Sequence, residues 1–393
     1  MSAVAQALSV QLQAEGPVPL QAQFDCGAGE LLALVGPSGS GKTSLLRAIA
    51  GLPLPGPVQG RIVCGEEVWL DTAARIVRPV QDRRVGLVFQ SYALFPHMTV
   101  AEQLALAAGP DGQPAAIAAL LQGLGLAHLA DRRPAQLSGG QQQRVALGRA
   151  LVRVMPPDLL SGDSSARGPK AEVGARQPAS VLLLDEPFSA VDAPTRQTLY
   201  RELAAWRVRL RWPMVLVTHD LQEARRLADR VVIVDAGQTL QTGTPERVFS
   251  SPRNARVAEL VGIQNHFRGR FIKHEPGWAW LHWGPMEAGI RLRVIDKNRI
   301  EADCEVSWVL QGEEVDVGPD GPAPLAPNEL VCRLQEALSL GDVSLCTLVP
   351  LALPGERITL NLTGRLLRRL QISPGQTLRL RLAPQALHIM PRH

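Results

Sequence analysis

Three short stretches carry residues whose types and spacing could do chemistry. Gly36-Pro37-Ser38-Gly39-Ser40-Gly41-Lys42-Thr43, followed by Ser44, fits the pattern G-x-x-x-x-G-K-[ST]. Glycines let the backbone wrap closely enough for its N–H groups to point at phosphate oxygens. The N-terminus of the helix expected to follow adds partial positive charge. Lys42 can reach the β- and γ-phosphates of a nucleotide, and the Thr43 hydroxyl can ligate Mg²⁺. The alternative, a glycine-rich turn that matches by chance, sits poorly with a complete pattern placed between a predicted strand and a predicted helix.

The second stretch is Val181-Leu182-Leu183-Leu184-Asp185-Glu186. An apolar strand ending in a carboxylate puts an acid at the carboxyl edge of a sheet, where α/β folds bind ligands. Asp185 can then enter the Mg²⁺ shell, and Glu186 is placed to polarise an attacking water. Alone, the stretch reads equally as a strand followed by an acidic turn. The third is Leu137-Ser138-Gly139-Gly140-Gln141, immediately before a helical pattern over Gln141 to Val152. Ser138 can cap that helix while the glycines expose its backbone N–H groups. A plain cap and a phosphate-binding tip use the same unpaired donors, so the two readings are compatible.

The elements that must hold these stretches are legible around them. Leu31 to Val35 is a continuous apolar run that stops at Gly36, and Lys42 to Ala50 reads as helix. Arg84 to Phe89, Val181 to Leu184, Val215 to Thr218 and Val231 to Val234 read as further strands, the last three of the buried parallel type. Leu8, Val10 and Leu12 alternate with polar residues as in a half-buried strand, and Leu20 to Phe24 is a second short strand. Strands alternating with helices predict an α/β layer fold. From Val154 to Ser180 the texture turns rich in Pro, Gly, Ser and Ala without periodicity, as expected of a flexible surface insertion. Beyond about Val261 short alternating strands take over, among them "FRGRF", "RLRV" and "TLRLRL", and Gly318 to Glu329 reads as a loop between two β-rich halves. The expected domains are therefore 1–262, with the insertion 154–180, and 263–393.

Composition narrows the class. The 393 residues, 46% hydrophobic and 20% charged, are long enough for two domains with buried cores. No apolar run approaches the roughly 18 residues a membrane helix needs, and no basic start precedes an apolar run as in a secretory signal. The expected location is thus the cytoplasm, with any membrane link made through a partner. A net charge of +4 without a dense basic block argues for a solvated surface rather than nucleic-acid binding. The five cysteines, Cys26, Cys64, Cys304, Cys332 and Cys346, are odd in number and form no Cys-x-x-Cys pair, so buried reduced thiols are expected.

Taken together, the three stretches resemble the ATPases of ABC transporters, a likeness that covers about Leu8 to Gly262. It implies a cassette with a helical lobe, ATP and Mg²⁺ as ligands, and a head-to-tail homodimer in which Ser138 to Gln141 of one copy complete the site of the other. Further positions fit the family. Gln90, after "VGLVF", matches the glutamine that touches Mg²⁺ and the attacking water. Asp192 in "SAVD" matches the aspartate at the dimer seam, and His219 in "LVTHD" matches the histidine on the γ-phosphate. A lone histidine at a strand end is otherwise more often a satisfied structural one. The resemblance therefore implies Glu186, His219, Gln90 and Lys42 as catalytic, with Thr43, Gln90 and Asp185 around the metal. Two departures stand out. The loop "AEGPVPL" lacks the aromatic residue that usually stacks on adenine, and the insertion 154–180 replaces a short link.

Gly65 to Val100 is similar to the importer branch that serves oxyanions, polyamines, sugars and ferric iron. "VWLDTA" before "DRRVGLVFQ" is most similar to molybdate-type ATPases. The resemblance implies membrane permease subunits as direct partners, a substrate-binding protein as an indirect one, and a peripheral place on the cytoplasmic face of the inner membrane. Phe95, Pro96 and Met98 would either await the permease or pack within the helical lobe. The C-terminal part, from Asn265-His-Phe-Arg-Gly-Arg-Phe271 to the closing "TLRLRL" segment, resembles oligonucleotide-fold-like and molybdate-binding modules, implying either a regulatory oxyanion site or a structural dimerisation barrel. Trp278 and Trp280 share one face of a strand, as core or interface aromatics or as a ligand platform. Rival readings are a soluble cassette acting on DNA or ribosomes and a nucleotide-binding regulator without turnover. The missing heptad pattern between Thr43 and Leu137 and the single cassette weigh against the first. The presence of both Glu186 and His219 weighs against the second.

Overall fold

The computed structural model describes residues 6–110, 114–155, 179–189, 191–275, 277–296, 298, 300–370 and 372–391. The expected insertion at 154–180 lies largely outside them. The chain divides into two compact units, Met1–Pro245 and Glu246–His393, so residues 246–262 go with the second unit.

In the first unit one sheet of eleven strands is seen among the described residues: β1 (Gln6–Ala14), β2 (Leu20–Gly27), β3 (Leu31–Val35), β4 (Val58–Cys64), β5 (Glu67–Asp71), β6 (Ile76–Val77), β7 (Arg84–Val88), β8 (Ser180–Asp185), β9 (Met214–Thr218), β10 (Arg230–Asp235) and β11 (Gln238–Gly243). Their order is β6-β5-β4-β1-β2-β11-β10-β3-β9-β8-β7. The five strands from β10 to β7 are parallel, and β1, β2, β4, β5 and β6 pair antiparallel. The pattern follows from burial. β3, β8 and β9 are buried at every residue, as strands covered on both faces must be, whereas β2 alternates buried and exposed.

Successive side chains of a strand point to opposite faces, and here that alternation feeds two cores. Leu182 and Leu184 join a cluster with helices α2 (Val100–Ala108), α3 (Pro114–Gly123) and α4 (Gly139–Val154), the helical lobe. Val181 and Leu183 join the cluster of α1 (Lys42–Ala50) and the antiparallel strands. Gly148 lets α4 approach its neighbours, since a Cβ there would come within 3.0 Å of Leu124 and 3.5 Å of Leu104. Two more helices matter for the site, α5 (Ala193–Leu210) and α6 (Leu221–Leu227). α1 is anchored at its far end. Gly51 adopts a left-handed φ of 80° and donates its N–H to the Ala48 carbonyl, and buried Arg83 donates to the Ala48 and Ile49 carbonyls at 3.0 and 2.8 Å, adding partners at the helix end.

The second unit holds two five-stranded antiparallel sheets among its described residues. One has the order Ile290–Ile295, Trp278–Trp283, His266–Glu275, Cys304–Leu310, Leu387–Pro391. The other runs Val315–Pro319, Thr377–Leu382, Glu329–Leu340, Val343–Pro350, Ile358–Thr363. This is the expected β-rich, oligonucleotide-fold-like domain. Two details differ from the sequence reading. The Gly318–Glu329 loop returns the chain to the same sheet instead of joining two halves. Trp278 and Trp280 do share a face, but the half-exposed one, with Arg293 stacked 4.4 Å over Trp278, so of the expected roles only that of core aromatics is overturned. The core aromatics among the described residues are Phe267, Phe271, Trp283 and Trp308; on its strand, parity turns Ala279, Leu281 and Trp283 inward. Of the cysteines, Cys304 is only half-buried while the other four are buried. No helix among the described residues is long and apolar enough to cross a membrane.

Candidate functional site

Four neighbouring strands, β3, β9, β8 and β7, end side by side, and the loops beyond their carboxyl ends make the site, as expected of an open parallel sheet. β3 runs into the Gly36–Thr43 loop. Gly36 passes so close to β10 that a Cβ would lie 1.9 Å from the Val234 carbonyl oxygen, while Gly39 and Gly41 take φ of +79° and +94°. Gly41 is the N-cap of α1 and offers no side-chain cap, so the first N–H groups of this helix are left for another acceptor. The loop is a cradle shaped by residues without side chains.

Lys42 is 5% exposed, and its ammonium folds back over the loop. It donates to Gly36 O at 2.9 Å, Pro37 O at 2.8 Å and Ser40 Oγ at 3.3 Å. Burial pulls its pKa below the ordinary lysine value, partly offset by Glu186 and Asp185. An incoming phosphate would exchange these loop acceptors for anionic ones. Thr43 Oγ1 donates to Asp185 Oδ1 at 3.1 Å. Burial raises the Asp185 carboxyl above its usual range, the Thr43 bond lowers it and the Glu186 charge raises it again. A hydroxyl and a carboxylate in contact, with a glutamine amide nearby, are the hard oxygen donors that suit Mg²⁺, so these residues fit the ion.

Glu186 lies at the centre of the polar groups. It sits one residue past β8 with φ of +44°, a left-handed conformation that costs a non-glycine residue energy and persists only where the surrounding structure holds it. Gln90 Nε2 donates to its Oε2 at 3.0 Å, and His219 Nδ1 lies 3.0 Å from its Oε1. The turn after Gln90 is also left-handed, at Tyr92 and Ala93. A cavity of about 480 Å³ opens here, lined by Val18, Ser38 to Ser44, Gln90, Glu186 and His219. The arrangement can hold a polyphosphate along the loop and present a carboxylate, an imidazole and an amide at its far end.

Ser138, Gly139, Gly140, Gln141 and Asp192 are not among the residues lining that cavity. Ser138 caps α4: its Oγ accepts from Gln141 N at 3.4 Å while Ser138 N donates to Gln141 Oε1 at 2.8 Å. Asp192 caps α5 by accepting from Thr195 N at 3.2 Å. Gly140 is needed for close approach to α5, since a Cβ would meet Thr195 Cγ2 at 2.6 Å. Ser138 and Gly139 are exposed. Phe95 and Pro96 are exposed and Met98 half-buried, with Arg149 stacked 5.2 Å over the Phe95 ring. Val18 is the lining residue the sequence reading missed. The signal was the loop "AEGPVPL", noted for lacking an aromatic, which here supplies an aliphatic side chain to the rim.

Residues 20–164 match the family described as ABC transporter. The sulfate/thiosulfate import ATP-binding protein CysA 2 of Chromobacterium violaceum is 36% identical over 94% of this chain and 90% of its own length. The sulfate/thiosulfate import ATP-binding protein CysA of Nitrosomonas europaea is 38% identical over 93% and 91%. The spermidine/putrescine import ATP-binding protein PotA of Pseudomonas fluorescens is 37% identical over 83% and 80%.

Proposed function

This chain belongs to the ABC transporter ATP-binding family, and from that premise we propose that it hydrolyses ATP to import an inorganic tetrahedral oxyanion through a membrane permease. The observation that carries the cargo class is the likeness to sulfate/thiosulfate import proteins over more than nine-tenths of the chain, the second unit included. The "VWLDTA" segment adds molybdate to the same class. A polyamine cargo is the second reading, supported by the PotA likeness over 83% of the chain.

In the proposed reaction, water attacks the γ-phosphorus in line as the bond to the ADP oxygen breaks. Glu186 accepts the proton of the attacking water, and its contact with His219 holds the imidazole where it can bond a γ-phosphate oxygen. The loop amides and Lys42 stabilise the phosphate charge, with Ser38, Ser40 and Ser44 along the same cradle. Thr43, Asp185 and Gln90 would hold Mg²⁺, which when bound would supply charge neutralisation at the phosphate oxygens. Ser138 to Gln141 and Asp192 lie outside their own chain's cavity, which supports their serving the site of a second copy. Catalysis of this kind is positioning and electrostatics. The permease docks on the surface that carries Phe95, Pro96 and Met98, at the cytoplasmic face of the membrane, and an external substrate-binding protein delivers the cargo.

The test is uptake of labelled sulfate, thiosulfate, molybdate and spermidine by cells holding this chain with its cognate permease and binding protein. Oxyanion uptake that stops in the Glu186→Gln variant is the expected outcome. Uptake of spermidine alone overturns the cargo class. Oxyanion uptake unaffected by Glu186→Gln overturns the role given to Glu186.

A further inference from the structure

The turn between β9 and α6 that carries His219 is braced from beneath by groups that take no part in the hydrolysis proposed above. Glu223, on the first turn of α6, is 5% exposed. Its Oε2 accepts from Thr218 Oγ1 at 2.6 Å, and its Oε1 accepts from the Tyr200 hydroxyl at 3.1 Å. Thr218 Oγ1 also accepts from the Asp220 backbone N–H at 3.0 Å. One hydroxyl thus ties together the residues on either side of His219. Burial lifts the Glu223 carboxyl above the usual range, and the bonds from Thr218 and Tyr200 pull it back. A carboxylate is costly in such a place unless its acceptors are filled, and here both oxygens are.

Tyr200 belongs to α5, and its ring meets a second functional turn. It stands edge-on to Phe188, with centroids 4.9 Å apart and planes at 87°. Phe188 lies two residues beyond Glu186. The same side chain therefore supports both turns whose carboxylate and imidazole meet at 3.0 Å. One helical turn earlier, on the same face of α5, Arg196 donates to Val191 O at 3.0 Å and lies 3.8 Å from Asp220 Oδ2. Val191 precedes Asp192, the cap of α5. α5 and the His219 turn are thereby linked twice, near the start of the helix through Arg196 and one turn later through Tyr200.

We propose that Tyr200 is a positioning residue for the Glu186–His219 pair, acting on His219 through Glu223 and Thr218 and on Glu186 through Phe188, so that α5 couples the Asp192 end of the helix to the hydrolytic groups. The inference rests on the reading of Glu186 and His219 as the pair that works on the γ-phosphate. It is tested on the full-length chain by a double-mutant cycle of Tyr200→Phe and His219→Ala, with steady-state ATP hydrolysis and thermal melting for each variant. Tyr200→Phe keeps the ring against Phe188 and removes the hydroxyl alone. It should lower kcat about tenfold with KM for ATP unchanged, the signature of lost orientation and not of lost binding. In the His219→Ala background it should change kcat by less than about twofold.

Three outcomes separate the claims. A His219→Ala chain that turns over at the parent rate overturns the reading of His219 itself. A slow His219→Ala chain beside a Tyr200→Phe chain with parental kcat overturns the positioning role. So does a tenfold loss that persists undiminished in the His219→Ala background. Should Tyr200→Phe melt out, Glu223→Gln, which keeps the side-chain shape, takes its place in the same cycle with the same expectations.

Discussion

Two helices of the first unit have a glycine at or beside the N-cap, yet they are finished in opposite ways. α1 starts at Gly41 with no side-chain cap, and the loop before it wraps a cavity. α4 starts at Ser138 and closes its own end with a full capping box, Ser138 to Gln141 N and Gln141 to Ser138 N. The first tip leaves donors whose natural partner is an anion. The second has its Gln141 N–H filled by its own chain and is exposed, so in the function proposed above it would exchange that cap for a phosphate of a second copy's site. The difference teaches how a two-part site can be built: one tip keeps its donors for an anion, while the other caps itself until a second copy's anion would displace the cap.

The sharpest way to break this contrast is at the far end of the gripping tip. Glu186→Gln should reduce ATP turnover by about 10²-fold or more, the scale of a lost general base, while leaving ATP affinity near that of the parent. Steady-state hydrolysis beside a fluorescent nucleotide titration reads both, and parental turnover would remove Glu186 from the mechanism. Lys42→Ala acts on the grip itself. Its loss should weaken ATP binding by about 10–100-fold, in line with charged hydrogen bonds, and reduce the rise in Tm that a fixed ATP concentration gives the parent. Unchanged nucleotide protection of the variant in a thermal melt would contradict the reading of the loop.

Ser138→Ala addresses the self-capped tip. Losing the cap should cost about 1 kcal/mol, a fall of about 2–4 °C in Tm, without weakening ATP binding by a single copy, but turnover at saturating ATP should drop. A loss of affinity without a loss of turnover would mean that the α4 tip serves its own chain. The smallest effect concerns a third tip, α6, capped by Asp220 and backed by Glu223. Because burial raises the Glu223 carboxyl in the folded state, the native chain holds that proton more tightly than the unfolded one. Stability from this group is therefore lost as pH rises from the ordinary glutamate range through the raised value. Glu223→Gln does not titrate, so its Tm relative to the parent should climb over the same window. Melts at pH 4 and pH 7 give the sign, and a relative Tm that falls with pH would refute it.

The primary sequence by itself determined the gripping half of the site. Gly36 to Thr43, Asp185 and Glu186 were legible because a loop that must wrap phosphates needs glycines at set spacings, and because buried parallel strands announce themselves as unbroken apolar runs ending at polar residues. The order of the strands was not legible, and it is the order β3-β9-β8-β7 that brings Lys42, Thr43, Gln90, Glu186 and His219 to one edge. Nor could local pattern tell that Trp283 and Trp308, not Trp278 and Trp280, fill the second unit's core, since a strand's two faces are equivalent until something packs on one of them. The Tyr200–Glu223–Thr218 bracing was invisible for the same reason. A glutamate on a short polar helix reads as solvated, and only the packing of α5 over the β9–α6 turn buries it and fills both of its oxygens.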